Sequence, residues 1–253
     1  MYLDIHAHFA QEGYEFPAEW ERIRAAGVET VVLAGDTLAH SLWHARFCRE
    51  TEGAYFAAGV HPSETEGFGQ ETLGALEGLL SEEKCVAVGE IGLDFHYPFP
   101  EKRDQTAPFL AQLELAHRHH LPVQLHSRDD YAEMIGLLRA HRELLTDGFL
   151  MHCYSHGAAH IGEFLDLGAY FSFGGVACFR NAKNVWESVR ACPADRILSE
   201  TDSPYLSPFR GEKNSPANIP VIVRQLAALR GEEEETLKQQ IRKNAKALFP
   251  AIG

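Results

Sequence analysis

The sequence predicts an α/β fold, a single (β/α)8 TIM barrel, on three observations. Short runs rich in β-branched and aromatic residues alternate with longer amphipathic segments along the whole chain, the pattern of repeated strand and helix units around a parallel sheet. Eight such runs can be counted, which suggests a sheet closed on itself. The length of 253 residues suits one barrel, so one domain over residues 1–253 is expected.

In chain order, the first strand is expected over Tyr2 to His6 and its helix near Pro17 to Ala26. Thr30 to Ala34 is followed by a helix over Ala39 to Glu50, and Tyr55 to Val60 by one over Glu71 to Leu80. Val86 to Ile91 precedes a long helix from Glu101 to His119, and Pro122 to His126 one from Tyr131 to Leu144. Gly148 to Cys153, Ala169 to Phe173 and Arg196 to Glu200 complete the strands, with helices at Ala158 to Asp166 and Ala182 to Arg190 between them. Helices over Ile219 to Leu229 and Glu233 to Leu248 close the chain; the acidic run Glu232 to Glu235 suits the first turn of the last, where carboxylates offset the helix dipole. Val86-Ala87-Val88 and Leu121-Pro122-Val123-Gln124-Leu125 are nearly continuously apolar, as strands covered on both faces must be. No Gly-x-Gly-x-x-Gly follows the first strand, so an open doubly wound sheet with a dinucleotide site is disfavoured.

Composition narrows the function. No apolar run approaches the roughly 18–20 residues that cross a bilayer, and the N-terminus lacks the basic and apolar regions of a secretory signal, so a cytoplasmic protein is expected. Five widely spaced cysteines without a Cys-x-x-Cys argue against a disulfide framework or a thiolate zinc site. A net charge of −13 is a poor footprint for wrapping duplex DNA, so a polyanionic substrate would have to be gripped locally. Fourteen histidines are the unusual feature. Those at helical places (His40, His44, His117, His119, His120, His141 and His160) read as solvated side chains.

The others fall at or just past predicted strand ends, the rim where barrels of this class carry their active sites. His6 and His8 are two apart, so an extended backbone points both imidazoles to one side. His61 ends the third strand, Glu90 and Asp94 the fourth, His126 with Arg128 the fifth, His152 the sixth, and Glu200 with Asp202 the eighth. Recurrence at corresponding places in so many units points to one shared site. A mixed set of imidazole and carboxylate accepts zinc, manganese or magnesium and selects none of them.

At these residues the sequence resembles the TatD family of metal-dependent deoxyribonucleases, within the amidohydrolase-like barrels. The resemblance runs from Met1 to Phe249 and rests on Asp4-x-His6-x-His8, Gly59-Val60-His61-Pro62, Gly89-Glu90-Ile91-Gly92-Leu93-Asp94, His126-Ser127-Arg128-Asp129, His152-Cys153, Glu200-Thr201-Asp202-Ser203-Pro204 and the late Arg210-Gly211 with Asn214 and Pro216. It implies two divalent cations, one held by His6, His8 and Asp202, the other by His126 and His152, with Glu90 bridging them. The implied activity is two-metal hydrolysis of DNA phosphodiesters. Asp202 would take the proton of the attacking water, His61 would donate to the phosphate or assist the leaving group, and Arg128, Arg210 and Asn214 would meet substrate phosphates. Tyr205 or Phe95 is a candidate to stack on a terminal base, with packing as the alternative for either. The acidic total favours a substrate end or single strand entering a pocket over a clamped duplex, hence exonuclease over endonuclease action, and with the resemblance the expected substrate is DNA, single-stranded or at 3′ ends. Tyr154, His156, Ser199 and Ser215 depart from the family pattern without removing a proposed ligand. Two rival readings keep the barrel: hydrolysis of a small ester, lactone or amide at the same metals, and a non-enzymatic metal-holding role in protein quality control or export.

Overall fold

The computed structural model describes residues 1–8, 16–98 and 100–252. Eight strands, β1 (Tyr2–Ala7), β2 (Val28–Ala34), β3 (Ala54–Ala58), β4 (Cys85–Asp94), β5 (Val123–Arg128), β6 (Phe149–Met151), β7 (Ala169–Phe173) and β8 (Ile197–Ser199), pair in parallel and in sequence order. The helices α1 (Phe16–Ala25), α2 (Leu38–Glu50), α3 (Gln70–Leu80), α4 (Lys102–Arg118), α5 (Tyr131–Ala140), α6 (Ile161–Leu165) and α7 (Lys183–Ala191) follow the first seven strands in turn, and α8 (Ile219–Arg230) and α9 (Glu234–Leu248) follow the last. This is a (β/α)8 barrel, as the alternation of patterns predicts. Phe56, Phe149, Phe171 and Phe173 on the strands and Phe109 and Phe164 on helices are fully buried, each contributing about 1.5–3 kcal/mol through burial.

Side chains and loop backbone bring β8 back to β1. Ser199 Oγ donates to the Leu3 carbonyl at 2.9 Å, and Asp202 N–H to that of His6 at 3.0 Å. The buried Asp4 carboxylate accepts from Thr201 Oγ at 2.5 Å and from Thr201 N–H at 3.0 Å. Burial pushes the Asp4 pKa up to about 8, more than the bonds from Thr201 and the His6 N–H pull it down. Asp4 is therefore a clasp across the seam, and it sets Asp202 beside His6 although 196 positions separate them. Helix α9 braces the seam from outside, its Asn244 amide donating to the Ala194 and Ile197 carbonyls at 2.8 Å each.

Strand lengths differ from those read in the sequence, and the differences serve the rim. β4 runs on to Asp94, buried along its whole length, because Gly92 lets it pass β5 where a side chain could not. Gly92 has φ +145°, and a Cβ there would lie 2.0 Å from the His126 carbonyl oxygen. The continued register pairs Gly92 with His126 and Asp94 with Arg128. β6 and β8 are shorter than expected, three residues each. Just beyond them Cys153 (φ 44°) and Asp202 (φ 55°) turn through the left-handed region, a strained choice for side-chain-bearing residues and one found disproportionately at functional sites. The helix expected from Tyr131 to Leu144 is broken at His141 into α5 and a 3-10 turn over Arg142–Leu145.

His44 corrects the solvated reading of the helical histidines. It lies on the face of α2 that also buries Ser41, Ala45 and Cys48, and burial pushes its pKa well below the usual histidine range. No described helix is long and apolar enough to cross a membrane.

Candidate metal centre

The strand-end residues meet at one mouth of the barrel. His6 and His8, from β1 and its end, bring their Nε2 atoms within 3.3 Å of each other. Glu90 Oε2 lies 3.2 Å from His6 Nε2 and 3.3 Å from His8 Nε2. Asp202 Oδ1 lies 3.4 Å from His8 Nε2 and 3.8 Å from His6 Nε2. Donors that sit 2.0–2.2 Å from a tetrahedral ion are about 3.3–3.6 Å apart, so these four atoms have the spacing of a ligand set. On the other side of the same carboxylate, Glu90 Oε1 lies 2.6 Å from His126 Nδ1 and 2.8 Å from His152 Nε2, and those two nitrogens are 3.4 Å apart. One glutamate thus presents an oxygen to each of two clusters.

What the far side of each ring touches decides what it offers here. His6 Nδ1 is 2.9 Å from Gln124 Oε1, and the Gln124 amide is oriented by donating to the Ile5 carbonyl at 2.8 Å. His8 Nδ1 donates to the Ala34 carbonyl at 3.1 Å. His126 is turned the other way, its Nε2 donating to Asp94 Oδ2 at 3.2 Å. His152 Nδ1 faces Glu200 Oε2 at 3.6 Å, and that oxygen accepts from Ser172 Oγ at 2.6 Å. In His6, His8 and His126 the ring proton is held on the outer nitrogen by a hydrogen bond, and in His152 the Glu200 carboxylate at 3.6 Å favours it there, so each inner nitrogen is left with a bare lone pair. Four lone pairs and the Glu90 and Asp202 carboxylates then face one another at 2.6–3.8 Å. Such an array repels itself unless protons or cations lie between its members.

The titration behaviour reports the same negative field. Burial disfavours charge on His8, but the Asp202 and Glu90 carboxylates outweigh it and hold the pKa well above the usual histidine range. His152 is raised well in the same way, against burial, by Glu90 and Glu200. His126 is raised by Asp94 and Glu90, again against burial. Burial would raise Glu90, yet the surrounding His152, His6 and His61 hold it well below the carboxylate range. A site that draws protons onto imidazoles this strongly draws divalent cations by the same forces.

His61 belongs to a different class. Its Nδ1 accepts the Ser63 N–H at 3.0 Å, so the neutral ring carries its proton on Nε2, and that N–H faces Glu90 Oε1 at 3.6 Å. Burial, reinforced by His126, lowers its pKa to about 3. His61 therefore offers the centre a neutral donor where the other four rings offer lone pairs.

The cluster floors a cleft of about 580 Å³ whose rim includes Arg128, Tyr97 and Tyr205. Arg128 lies over the Tyr97 ring, 5.4 Å from its centroid. Tyr97 is exposed, and the sequence reading passed it over because a lone tyrosine in a loop carries no pattern. Tyr205 is half exposed at the mouth, edge-on to His8 at 6.1 Å. Phe95 instead packs against the core. Asn214, expected at a substrate phosphate, is 1% exposed. Its amide donates to the Thr201 and Tyr205 carbonyls at 2.7 Å each, and its oxygen accepts from Ser215 N–H and Asn218 Nδ2 at 2.9 Å each. That side chain braces the loop after β8 and is withdrawn from substrate. Arg210 lines a neighbouring cleft, outside this one. His156 lies behind the wall, 2.7 Å from Ser127 Oγ, which in turn donates to Asp130 at 2.5 Å.

A (β/α)8 barrel with this His and carboxylate cluster at its strand ends defines a metal-dependent hydrolase. The family model described as TatD related DNase matches residues 3–250, and the chain belongs to the TatD family. It is 34% identical to the uncharacterized metal-dependent hydrolase YabD of Bacillus subtilis over 98% of this chain and 99% of that one. It is 36% identical to the 3′-5′ ssDNA/RNA exonuclease TatD of Klebsiella pneumoniae, over 90% of this chain and 89% of the relative. Among solved structures it is similar to YjjV, a TatD homologue from Escherichia coli K12, with a TM-score of 0.93 and 28% identity over 98% of both chains.

Proposed function

We propose that the chain hydrolyses phosphodiester bonds at the ends of single-stranded DNA, using two divalent cations. The observation that carries this reading is the two-sided use of Glu90. Its oxygens face two donor clusters, His6, His8 and Asp202 on one side and His126 and His152 on the other, and hydrogen bonds on the outer nitrogens of His6, His8 and His126 orient those rings to present lone pairs. The donor chemistry fits the ions. Glu90, Asp94, Glu200 and Asp202 surround the imidazoles, and two divalent ions would supply four positive charges against these carboxylates in place of the protons the rings otherwise draw. Zinc, manganese and magnesium are all compatible with these donors.

When bound, the cations acidify a water and neutralise charge on the phosphate. The protein groups do the rest. Asp202 is the proton acceptor: burial opposes its charge, but pairing with His8, His152 and His6 lowers its pKa, so it is ionised through the neutral range. His61, neutral at any pH well above about 3, donates its Nε2–H to a phosphate oxygen or the leaving oxygen. Arg128 holds the next phosphate and Tyr97 or Tyr205 takes the terminal base. The Klebsiella relative named as a 3′-5′ exonuclease supports entry of the strand by its 3′ end.

The test is incubation of metal-loaded protein with end-labelled single-stranded DNA and, separately, with a panel of carboxyl esters, lactones and amides. Stepwise shortening of the DNA, abolished by chelator and by Asp202→Asn, is the expected result. Asparagine tolerates the positive φ at 202, so loss of activity there reports chemistry and not misfolding. Turnover of the carbon esters with no shortening of DNA under manganese, magnesium, cobalt or zinc would transfer the site to the rival chemistry.

A further inference from the structure

Beside the metal cleft a second one, of about 820 Å³, opens between the loop after β7 and the loop after β8. Each wall carries a phenylalanine followed at once by an arginine: Phe179-Arg180 on the first loop and Phe209-Arg210 on the second. Both rings are open to solvent, Phe179 at 37% and Phe209 at 41% exposure. Among the described residues neither arginine is ion-paired with a carboxylate, not even with Glu212 of the same cleft, so both guanidinium groups are available to a ligand. Four of the seven exposed large apolar side chains among the described residues, Phe179, Tyr205, Leu206 and Phe209, lie on this one shoulder of the barrel mouth. Clustered exposure of that kind marks a binding surface.

The two clefts share the loop after β8 as a wall. Tyr205 and Leu206 line the metal cleft, and the next residues, Ser207 to Gly211, line the second. Their walls are braced. Gly175 of the β7 loop packs so closely on the β8 loop that a Cβ there would lie 1.9 Å from the Leu206 carbonyl oxygen. Trp186 Nε1–H donates to the Ala177 carbonyl at 2.9 Å, and Asn214 fixes the Tyr205 carbonyl from below. A braced groove that offers an aromatic face and an adjacent unpaired guanidinium on each side suits a chain that alternates flat bases with phosphates.

We infer that this second cleft is the docking subsite for the body of a single-stranded nucleic acid whose terminal phosphodiester lies over the metal centre, Phe179 and Phe209 receiving bases and Arg180 and Arg210 their phosphates. The inference rests on the nuclease reading and adds a chain-length preference to it. The experiment compares kcat/KM of the metal-loaded protein on oligothymidylates of two to eight nucleotides, for the native chain, for Phe179→Ala/Phe209→Ala and for Arg180→Gln. The native protein gains with each nucleotide that reaches the second cleft, roughly 5- to 150-fold per stacked base. The double variant loses that gain through a raised KM on long oligomers while keeping the native rate on the dinucleotide, and Arg180→Gln flattens the salt dependence on the octamer alone. The dinucleotide rate also checks that the variants are folded. If the native chain cleaves oligomers but shows no length preference, or if the double variant keeps it, the subsite is refuted and the nuclease reading stands. If the native chain cleaves no oligomer of any length, the nuclease reading falls and takes the subsite with it.

Discussion

Replacing Asp94 with asparagine should weaken binding at the His126 and His152 cluster while leaving the His6, His8 and Asp202 cluster intact. The carboxylate accepts twice: Oδ1 takes the His96 N–H at 2.9 Å and Oδ2 takes His126 Nε2–H at 3.2 Å. An amide has one oxygen. If it stays with His96, the NH2 faces His126 Nε2, and the ring must move its proton to Nδ1, the atom 2.6 Å from Glu90 Oε1. The lone pair that the cation needs is then gone. If the amide flips to keep the imidazole proton in place, the partly buried His96 hydrogen bond is lost instead, at about 0.5–1.5 kcal/mol.

Losing an outer partner of a metal-bound histidine typically costs 10- to 100-fold in affinity, or about 1.4–2.7 kcal/mol. At a fixed saturating metal concentration the same energy is missing from the ligand-linked stability. For a chain of this size it should appear as a metal-induced Tm shift smaller by roughly 3–10 °C. The metal-free protein should melt no lower than the native one by more than the single lost bond, because the substitution removes one charge from an acidic cluster. Calorimetric titration of the metal-free protein, with thermal melts at matched zinc or manganese, checks both. Native affinity at both sites in Asp94→Asn would refute the argument that outer hydrogen bonds set the ring nitrogens.

Three further outcomes are expected. His61→Ala should lower kcat by roughly 10²–10³, the loss that follows removal of one transition-state donor, with an unchanged metal-to-protein ratio by elemental analysis; loss of metal would make His61 a ligand. Gly92→Ala should cost about 2–5 kcal/mol in urea unfolding and reduce activity together with stability, since the added carbon meets the His126 carbonyl at 2.0 Å; native stability would mean that β4 and β5 separate freely. Asp130 is raised to about 7 by burial, against the Ser127 bond, so the metal-free native state keeps a proton that the unfolded chain loses above about 3.8. Stability is lost as pH rises through that window, so Asp130→Asn should gain relative to the native chain between pH 4 and 7, by on the order of a few kcal/mol. Urea unfolding at several pH values measures the gap, and a constant gap would contradict the assignment.

The barrel was legible because a period-2 apolar run and a period-3.6 helix leave different marks, and eight alternations leave little freedom of topology. The strand-end histidines were legible for a related reason: the residue type is rare and its place recurred. What stayed hidden was whatever depends on three-dimensional partners. Gln124 sits inside an apolar strand and shows nothing of its bond to His6. Ser63 looks like an ordinary turn residue, yet its N–H fixes the tautomer of His61. Asn214 was placed at the substrate on its motif alone, and its four internal hydrogen bonds could not be seen without the loop that surrounds it. The bounds of β4 failed because glycine in a strand normally signals its end, while here it permits a close approach.

The acidity of the chain and the proposed polyanionic substrate are reconciled by depth. The groups that would act on phosphorus sit low in the cleft: His6 is fully buried, and Glu90 and His152 are 2% and 7% exposed. A phosphodiester reaches them only if its strand can be drawn in, which a free single-stranded end can do and the backbone of a stiff duplex cannot. At that depth the field is set by the local carboxylates and the ions that balance them, so the −13 carried by the whole chain is screened within about 8–10 Å at ordinary salt. At the rim Arg128, Arg180 and Arg210, which have no ion-paired carboxylate among the described residues, would offer an approaching backbone positive charge. On the proposed reading, an acidic surface joined to a deep mouth would select strand ends over duplex by geometry before any base is read.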